Sequence, residues 1–411
     1  METLPPASPG SPQGEEPRIA LHLSFWRGRA WLWGERAFPW EEPGPRHPGD
    51  AGREGLREVL KRLGAGVRVS LSRVETPWAW LPTRGALPLP SSPLLGEPKG
   101  RGTVRLRPHG VTALGLEAGE LFDLLAALAE GTPPGIGGDA SLVWWGRLAR
   151  EAANLGIREA CLPGLVRGDR GWEARWIPLP DEEAQQALDR LAVSLPGVAR
   201  CLGEGTKTPP ETAPRFLAET AAGWLADALG RSGPVPFPPR FPGPRESLHD
   251  AWLEALGAPD PVVPWPEEGE LEDFAARLDR WRRPLEILAR SPLRLVFRLL
   301  EPEDGEVRGP WRVEYLLQPR WDPSLLVPLG ALWRKEEVPR TLGLGEGEEA
   351  FVRLALEQAA PICPEVEASL EDPHPEGFAT DLEGAAGFLA RGAEALRGAG
   401  FPVLLPSWWL G

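Results

Sequence analysis

Hydrophobic and polar positions alternate from the start of the readable chain. In residues 19–33, IALHLSFWRGRAWLW, Ala20, His22 and Ser24 alternate with Leu21, Leu23 and Phe25. That is the period of a strand, and Arg27-Gly28 supplies a turn, so the segment predicts a β-hairpin. His22 falls on its more polar face and reads as a structural residue. Leu56, Val59, Leu60 and Leu63 recur at helical spacing over 50–63, with Asp50 as the N-cap and Gly64 as the stop. VRVSLSRV at 67–74 alternates and predicts a strand, whereas LPTRGALPLPSSPLLGEPKG at 81–100 predicts a long Pro-rich loop. Helical spacing follows near 117–129, 139–155, 181–194 and 212–229, with short strands at 103–106 and 172–178.

Residues 234–244, PVPFPPRFPGP, hold six prolines, which remove amide donors and fix φ. The stretch predicts a semi-rigid spacer. Helices are expected near 246–256 and 268–289. The strongest strand pattern comes next: Leu293, Leu295, Phe297 and Leu299, then Trp311, Val313, Tyr315 and Leu317, alternate with polar neighbours across a short acidic loop. This predicts an antiparallel hairpin over 293–318 in which Arg294 and Arg298 share a face and pair with Glu314. Helices resume near 347–359 and 381–398, before a short strand at 402–405. Strands clustered among helices without regular alternation predict an α+β fold: mixed helices with small antiparallel sheets and hairpins, and no P-loop ATPase core. The expected organisation is a disordered tail at 1–17, an α+β domain at 18–232, a Pro-rich linker at 233–245 and a second α+β domain at 246–411.

Composition changes this picture in three ways. The chain has 411 residues with 19 Trp, 49 Pro and 48 Gly, and so much aromatic surface argues for a packed protein. Trp31, Trp33, Trp144, Trp145, Trp252 and Trp281 all fit apolar faces of expected elements. Net charge is −14, but residues 1–110 carry +5 and the remainder −19, so any nucleic-acid contact has to be local. Arginine outnumbers lysine 41 to 4, and a single Asn and a single Met suit a thermophile or a GC-rich genome. The longest apolar runs have about six residues, against about 20 for a membrane span. With no secretory signal pattern, the expectation is a cytoplasmic chain without membrane association.

No catalytic constellation is legible. Cys161, Cys201 and Cys363 form no CxxC and read as small buried residues. LGEGTKT at 202–208 lacks the Gly-Lys step of a phosphate loop and runs into Pro209-Pro210. Asp181-Glu182-Glu183 opens a helix, where acids complement the dipole. No histidine pair has metal-ligand spacing. Two binding features remain. Arg277, Arg280, Arg282, Arg283 and Arg290 surround Trp281 and form a candidate nucleic-acid stripe. Trp408, Trp409 and Leu410 are expected to be buried, as a docking surface for a neighbouring domain or partner.

Several stretches together resemble a known family. They are AWLPTRGALPLPSSPLLGEP at 79–98, VTALGL at 111–116, CLPGLV at 161–166, ARWIPL at 174–179, RLVFRLLEP at 294–302, WRVEYLLQPRWDPSLLVPLGALW at 311–333 and GFPVLLPSWW at 400–409. They resemble the amino-terminal accessory region of bacterial Snf-type (Swi/Snf-like) DEAD/DEAH-box helicases, from about residue 18 onward. The resemblance implies a non-catalytic regulatory module of an ATP-dependent DNA translocase. Its partners would be a Snf-type ATPase motor, in cis or in trans, and duplex DNA. The Walker lysine, DExH-type box and arginine finger of the motor are absent from these residues, so ATP and magnesium would enter only through that motor. A stand-alone partner docking on a separate ATPase, and a Trp-rich ligand- or glycan-binding protein, are the alternative readings.

Overall fold

The computed structural model describes residues 18–37, 44–64, 67, 69–96, 102–158, 160–168, 170–232, 247–302, 309–334 and 348–409. The expected tail at 1–17 and linker at 233–245 lie outside these. The fold is α+β, as the pattern predicts. Two compact units divide it: Met1–Leu179 with Glu183–Ala275, and Pro180–Glu182 with Ala276–Gly411.

The first unit runs β1 (Ile19–Trp26), β2 (Arg29–Arg36), α1 (Gly52–Leu63), β3 (Val74–Glu75), β4 (Trp78–Arg84), β5 (Leu87–Pro88), β6 (Val104–Gly110), β7 (Ala113–Gly115), α2 (Ala118–Glu130), β8 (Ile136–Gly138), α3 (Ala140–Ile157), β9 (Cys161–Gly168), β10 (Gly171–Pro178), α4 (Glu182–Val193), β11 (Leu202–Gly203), α5 (Pro214–Ser232), α6 (Leu248–Gly257) and the start of α7 (Glu268–Arg290). The β1–β2 hairpin forms as expected. Arg27 and Gly28 both take positive φ, 48° and 73°, the two-residue turn whose twist suits a hairpin. Its sheet has the order β3-β7-β2-β1-β8, with β8 parallel to β1. Trp145, fully buried, meets Trp144 and Trp224 edge-on in the core that α3 and α5 build against it.

Local chemistry sets the helix starts. The Asp139 carboxylate accepts from the Ser141 amide at 2.9 Å and caps α3. Glu117 and Glu120 form a reciprocal capping box on α2. Asp50 is displaced from the N-cap role by Ala51, because its carboxylate is held by the Thr112 amide and hydroxyl. The expected strand at 67–74 shrinks to β3: Ser70 donates its amide to Glu120, and residues 71–72 turn. Most of the expected loop at 81–100 folds instead. β4 and β5 close a tight hairpin over Gly85, and β4 pairs with β6 over seven residues.

Residues 248–275 belong to this first unit, so the division lies inside α7 and not at the proline stretch. The reason is packing. The Trp252 indole donates to the Gly164 carbonyl at 3.0 Å, and Trp176 donates to Leu256 at 3.2 Å, fastening α6 to the β9–β10 hairpin. A buried ion network adds to this. Asp227 on α5 accepts from Arg175, Arg231 and the Trp176 amide.

The second unit holds the rest of α7, β12 (Leu293–Leu300), β13 (Trp311–Pro319), β14 (Val327–Pro328), α8 (Leu329–Trp333), α9 (Glu348–Ala359), α10 (Pro364–Ser369), β15 (Gly377–Thr380), α11 (Leu382–Gly387), α12 (Ala393–Gly398) and β16 (Val403–Leu404). A π turn over Phe388–Gly392 joins α11 to α12. β12 and β13 pair in register from Leu293–Pro319 to Leu300–Arg312, with β16 parallel to β12. Phe297 and Tyr315 meet edge-on in the core, 5.3 Å apart, and the Tyr315 hydroxyl reaches Ser369 at 2.7 Å. Gly377 has φ 148°, and a Cβ there would lie 2.1 Å from the Val313 carbonyl, so β15 approaches β13 only as glycine.

Candidate functional site

Helix α7 carries the expected arginines, but not as one stripe. At about 100° per residue, Arg277, Arg280, Trp281, Arg283, Ile287 and Arg290 fall within one half of the helix circumference, and Arg282 on the other. The four outward arginines are exposed. Arg282 is 9% exposed; its guanidinium donates to Asp279 at 2.6 Å and lies 3.5 Å from Glu286. It is withdrawn from the basic face, contrary to its place in the expected stripe. Trp281 also departs from expectation: it is 52% exposed, not core. The result is a basic surface centred on an indole. Arg298 pairs with Glu314 as expected, Nε to carboxylate 3.1 Å, whereas Arg294 stands opposite Gln318.

The aromatic pair near residue 408 is also at the surface. Trp408 and Trp409 are 54% and 45% exposed, so this chain by itself does not bury their rings. Trp408 satisfies its N–H on Glu301 at 2.6 Å and meets Trp311 edge-on at 6.5 Å, so neither its polar atom nor its ring requires the interior. Leu410 lies outside the described residues.

A third group was not legible in sequence. The first unit buries a polar cluster drawn from six segments. His22 on β1, Glu35 on β2, His47 before α1, His109 on β6 and Asp139 before α3 converge beside Ser91. The Ser91 amide and hydroxyl both donate to Glu35 Oε2, at 3.2 and 3.0 Å. Ser91 Oγ is 3.1 Å from His22 Nε2, and His22 Nδ1 is 3.1 Å from Asp139 Oδ2. Glu35 Oε1 lies 3.8 Å from His22 Nε2 and 3.7 Å from His47 Nε2. His109 shares a 2.9 Å hydrogen bond with Thr83.

Electrostatics follow from burial. Desolvation raises the Glu35 carboxyl above its ordinary value, against the pull of His22 and Ser91. His47 is pushed down to about 3 by burial, with His109 and His22 adding to it. Burial lowers His109 as well, helped by Arg107. Burial acts to raise Asp139, but its bonds from His22 and Ser141 outweigh that and hold the carboxyl low. The only hint in sequence was the polar face of the first hairpin. Alternation identifies a face, but β1 is buried on both faces through Ser24, so its polar residues point into the protein.

The remaining candidates carry less chemistry. Burial raises the thiols of Cys161, Cys201 and Cys363 to about 11, 12 and 12, away from thiolate reactivity. LGEGTKT forms β11 and a bend, with the next helix starting only at Pro214. Among the described residues no group of His, Cys, Asp and Glu is arranged to hold a metal ion, and no helix is long and apolar enough to cross a membrane. No protein-family model, no curated protein and no solved structure matches the chain.

Proposed function

We propose that this chain is an accessory module of a Snf-type DNA translocase, and that it contacts duplex DNA through the outward face of α7. The observation that carries the contact is the separation of arginines on that helix. Arg282 is neutralised by Asp279 and Glu286, while Arg280, Trp281 and Arg283 face solvent together. An exposed cationic surface with an aromatic at its centre suits a phosphate backbone, whose binding is dominated by ion release. The motif likeness described above supplies the translocase half of the reading. In this reading ATP hydrolysis belongs to the motor, and the module holds flanking DNA or biases the motor lobes.

The test is a duplex-binding titration with the purified chain, read by fluorescence anisotropy between roughly 50 and 200 mM salt, beside a DNA-stimulated ATPase assay. Binding that weakens steeply with salt, without hydrolysis, is expected. Salt-independent binding, or DNA-stimulated hydrolysis by this chain alone, contradicts the reading. A stand-alone partner acting on a separate ATPase would use the same surface, together with the exposed Trp408–Trp409 pair.

A further inference from the structure

The polar cluster of the first unit contains an arrangement that the accessory reading does not use. We propose that Ser91 is a reactive nucleophile, activated by His22 and Asp139, that accepts acyl groups from small activated esters. Ser91 Oγ lies 3.1 Å from His22 Nε2, and His22 Nδ1 lies 3.1 Å from Asp139 Oδ2. This is the order hydroxyl, imidazole, carboxylate, with both links at hydrogen-bond distance, which is how proteins turn a serine hydroxyl into a nucleophile.

Each member has the environment its part requires. His22 is fully buried and its ring is held against Trp33, 4.2 Å between centroids. Asp139 is fixed by the Ser141 amide at 2.9 Å and the Ser141 hydroxyl at 2.5 Å. With its carboxyl held low, it places an anion 3.1 Å from His22 Nδ1, where it stabilises the imidazolium that forms when Nε2 takes the serine proton. The resting hydroxyl donates to Glu35 Oε2 at 3.0 Å, and rotation about Cβ–Oγ turns that proton to His22 Nε2, 3.1 Å from the same oxygen. Ser91 itself is exposed, between Pro90 and the short turn Pro93–Leu95. The serine residue is thus open to solvent while the His22 base is fully buried.

The step balances without a redox partner. Ser91 Oγ attacks the acyl carbonyl and its proton passes to His22 Nε2. The carbon–oxygen bond to the leaving alcohol breaks, and that alkoxide takes the proton from His22. Water, deprotonated by the same nitrogen, then releases the acid and restores Ser91. Asp139 stabilises the imidazolium formed in each half.

The experiment treats the full chain with a fluorophosphonate probe, which forms a P–O bond to serine as fluoride leaves, and locates adducts by peptide mass spectrometry. Ser324 and Ser407 are exposed serines that touch no imidazole among the described residues, and serve as internal references. Ser91 is expected to label at least about 100-fold faster than either, the usual contribution of a general base. Ser91→Ala should abolish that adduct, and Asp139→Asn, which retains a helix cap, should slow labelling by about 100-fold. Labelling of Ser91 no faster than the references overturns the proposal, and so does an Asp139→Asn protein that labels at the wild-type rate. If that variant fails to fold, the wild-type ratio alone decides.

Discussion

Arginine plays opposite parts in the Asp227 network of the first unit and on the outward face of α7 in the second. In the first, Arg231 is spent entirely on structure. Its guanidinium donates to Asp227 at 3.0 Å, to the carbonyls of Ala255 and Ala258 at 2.6 and 2.8 Å, and to the Ala174 carbonyl. Arg175 completes the network between Glu173 and Asp227. In the second unit, Arg280 and Arg283 face water from α7 with no carboxylate partner among the described residues, beside the exposed Trp281. The same side chain is a fastener where its five donors meet fixed acceptors, and a mobile charge available to a polyanion where they do not. Arg282 shows how fine the distinction is. One residue from Arg283, it turns to the other side and joins the structural class.

The largest effect expected from this contrast is at Asp227, which is 3% exposed. Asp227→Ala leaves two guanidinium groups facing each other without their shared acceptor, and should cost about 3–5 kcal/mol in urea unfolding. A cost under about 1 kcal/mol would make that network as dispensable as a surface pair.

A smaller effect tests the buried histidines. His47 titrates near 3 in the fold and near 6.5 when unfolded. Between those values the unfolded chain binds more protons, so stability falls as pH falls from about 6.5 towards 3. At pH 5 the deficit is about 2 kcal/mol. His47→Gln should flatten that part of the stability–pH curve, measured by denaturant midpoints at pH 7 and pH 5. An unchanged slope would mean that His47 is solvated in the fold.

The smallest effect is on the exposed helix face. Trp281→Ala and Arg283→Ala should each change stability by no more than about 0.5 kcal/mol, read from thermal unfolding. A loss of several kcal/mol from either would mean that this face is built for packing.

Most long elements were legible because periodicity carries them. The β1–β2 hairpin, α3, α5, α7 and the β12–β13 hairpin lie close to where their apolar spacing places them. What pattern could not supply was the fate of a polar face. His22 and Ser24 read only as the more polar face of a strand, and both are fully buried. The Pro-rich text at 81–100 hid the end of β4 and all of β5, since Pro88 lies on the edge strand β5 and Gly85 permits the turn. On α7 the arginines were legible as a cluster but not by direction, because Asp279 and Glu286 select which one turns away. Ser91, His22 and Asp139 are separated by 69 and 48 positions, and only the fold brings them together.

The most direct measurement is the salt dependence of duplex binding for wild type and for R277E/R280E/R283E. Each lost phosphate contact should remove about 0.9 from the slope of log affinity against log salt, so the triple variant should bind more weakly and lose about 2 to 3 units of slope. Equal slopes for the two proteins would contradict the assignment of α7 as the DNA-contacting face.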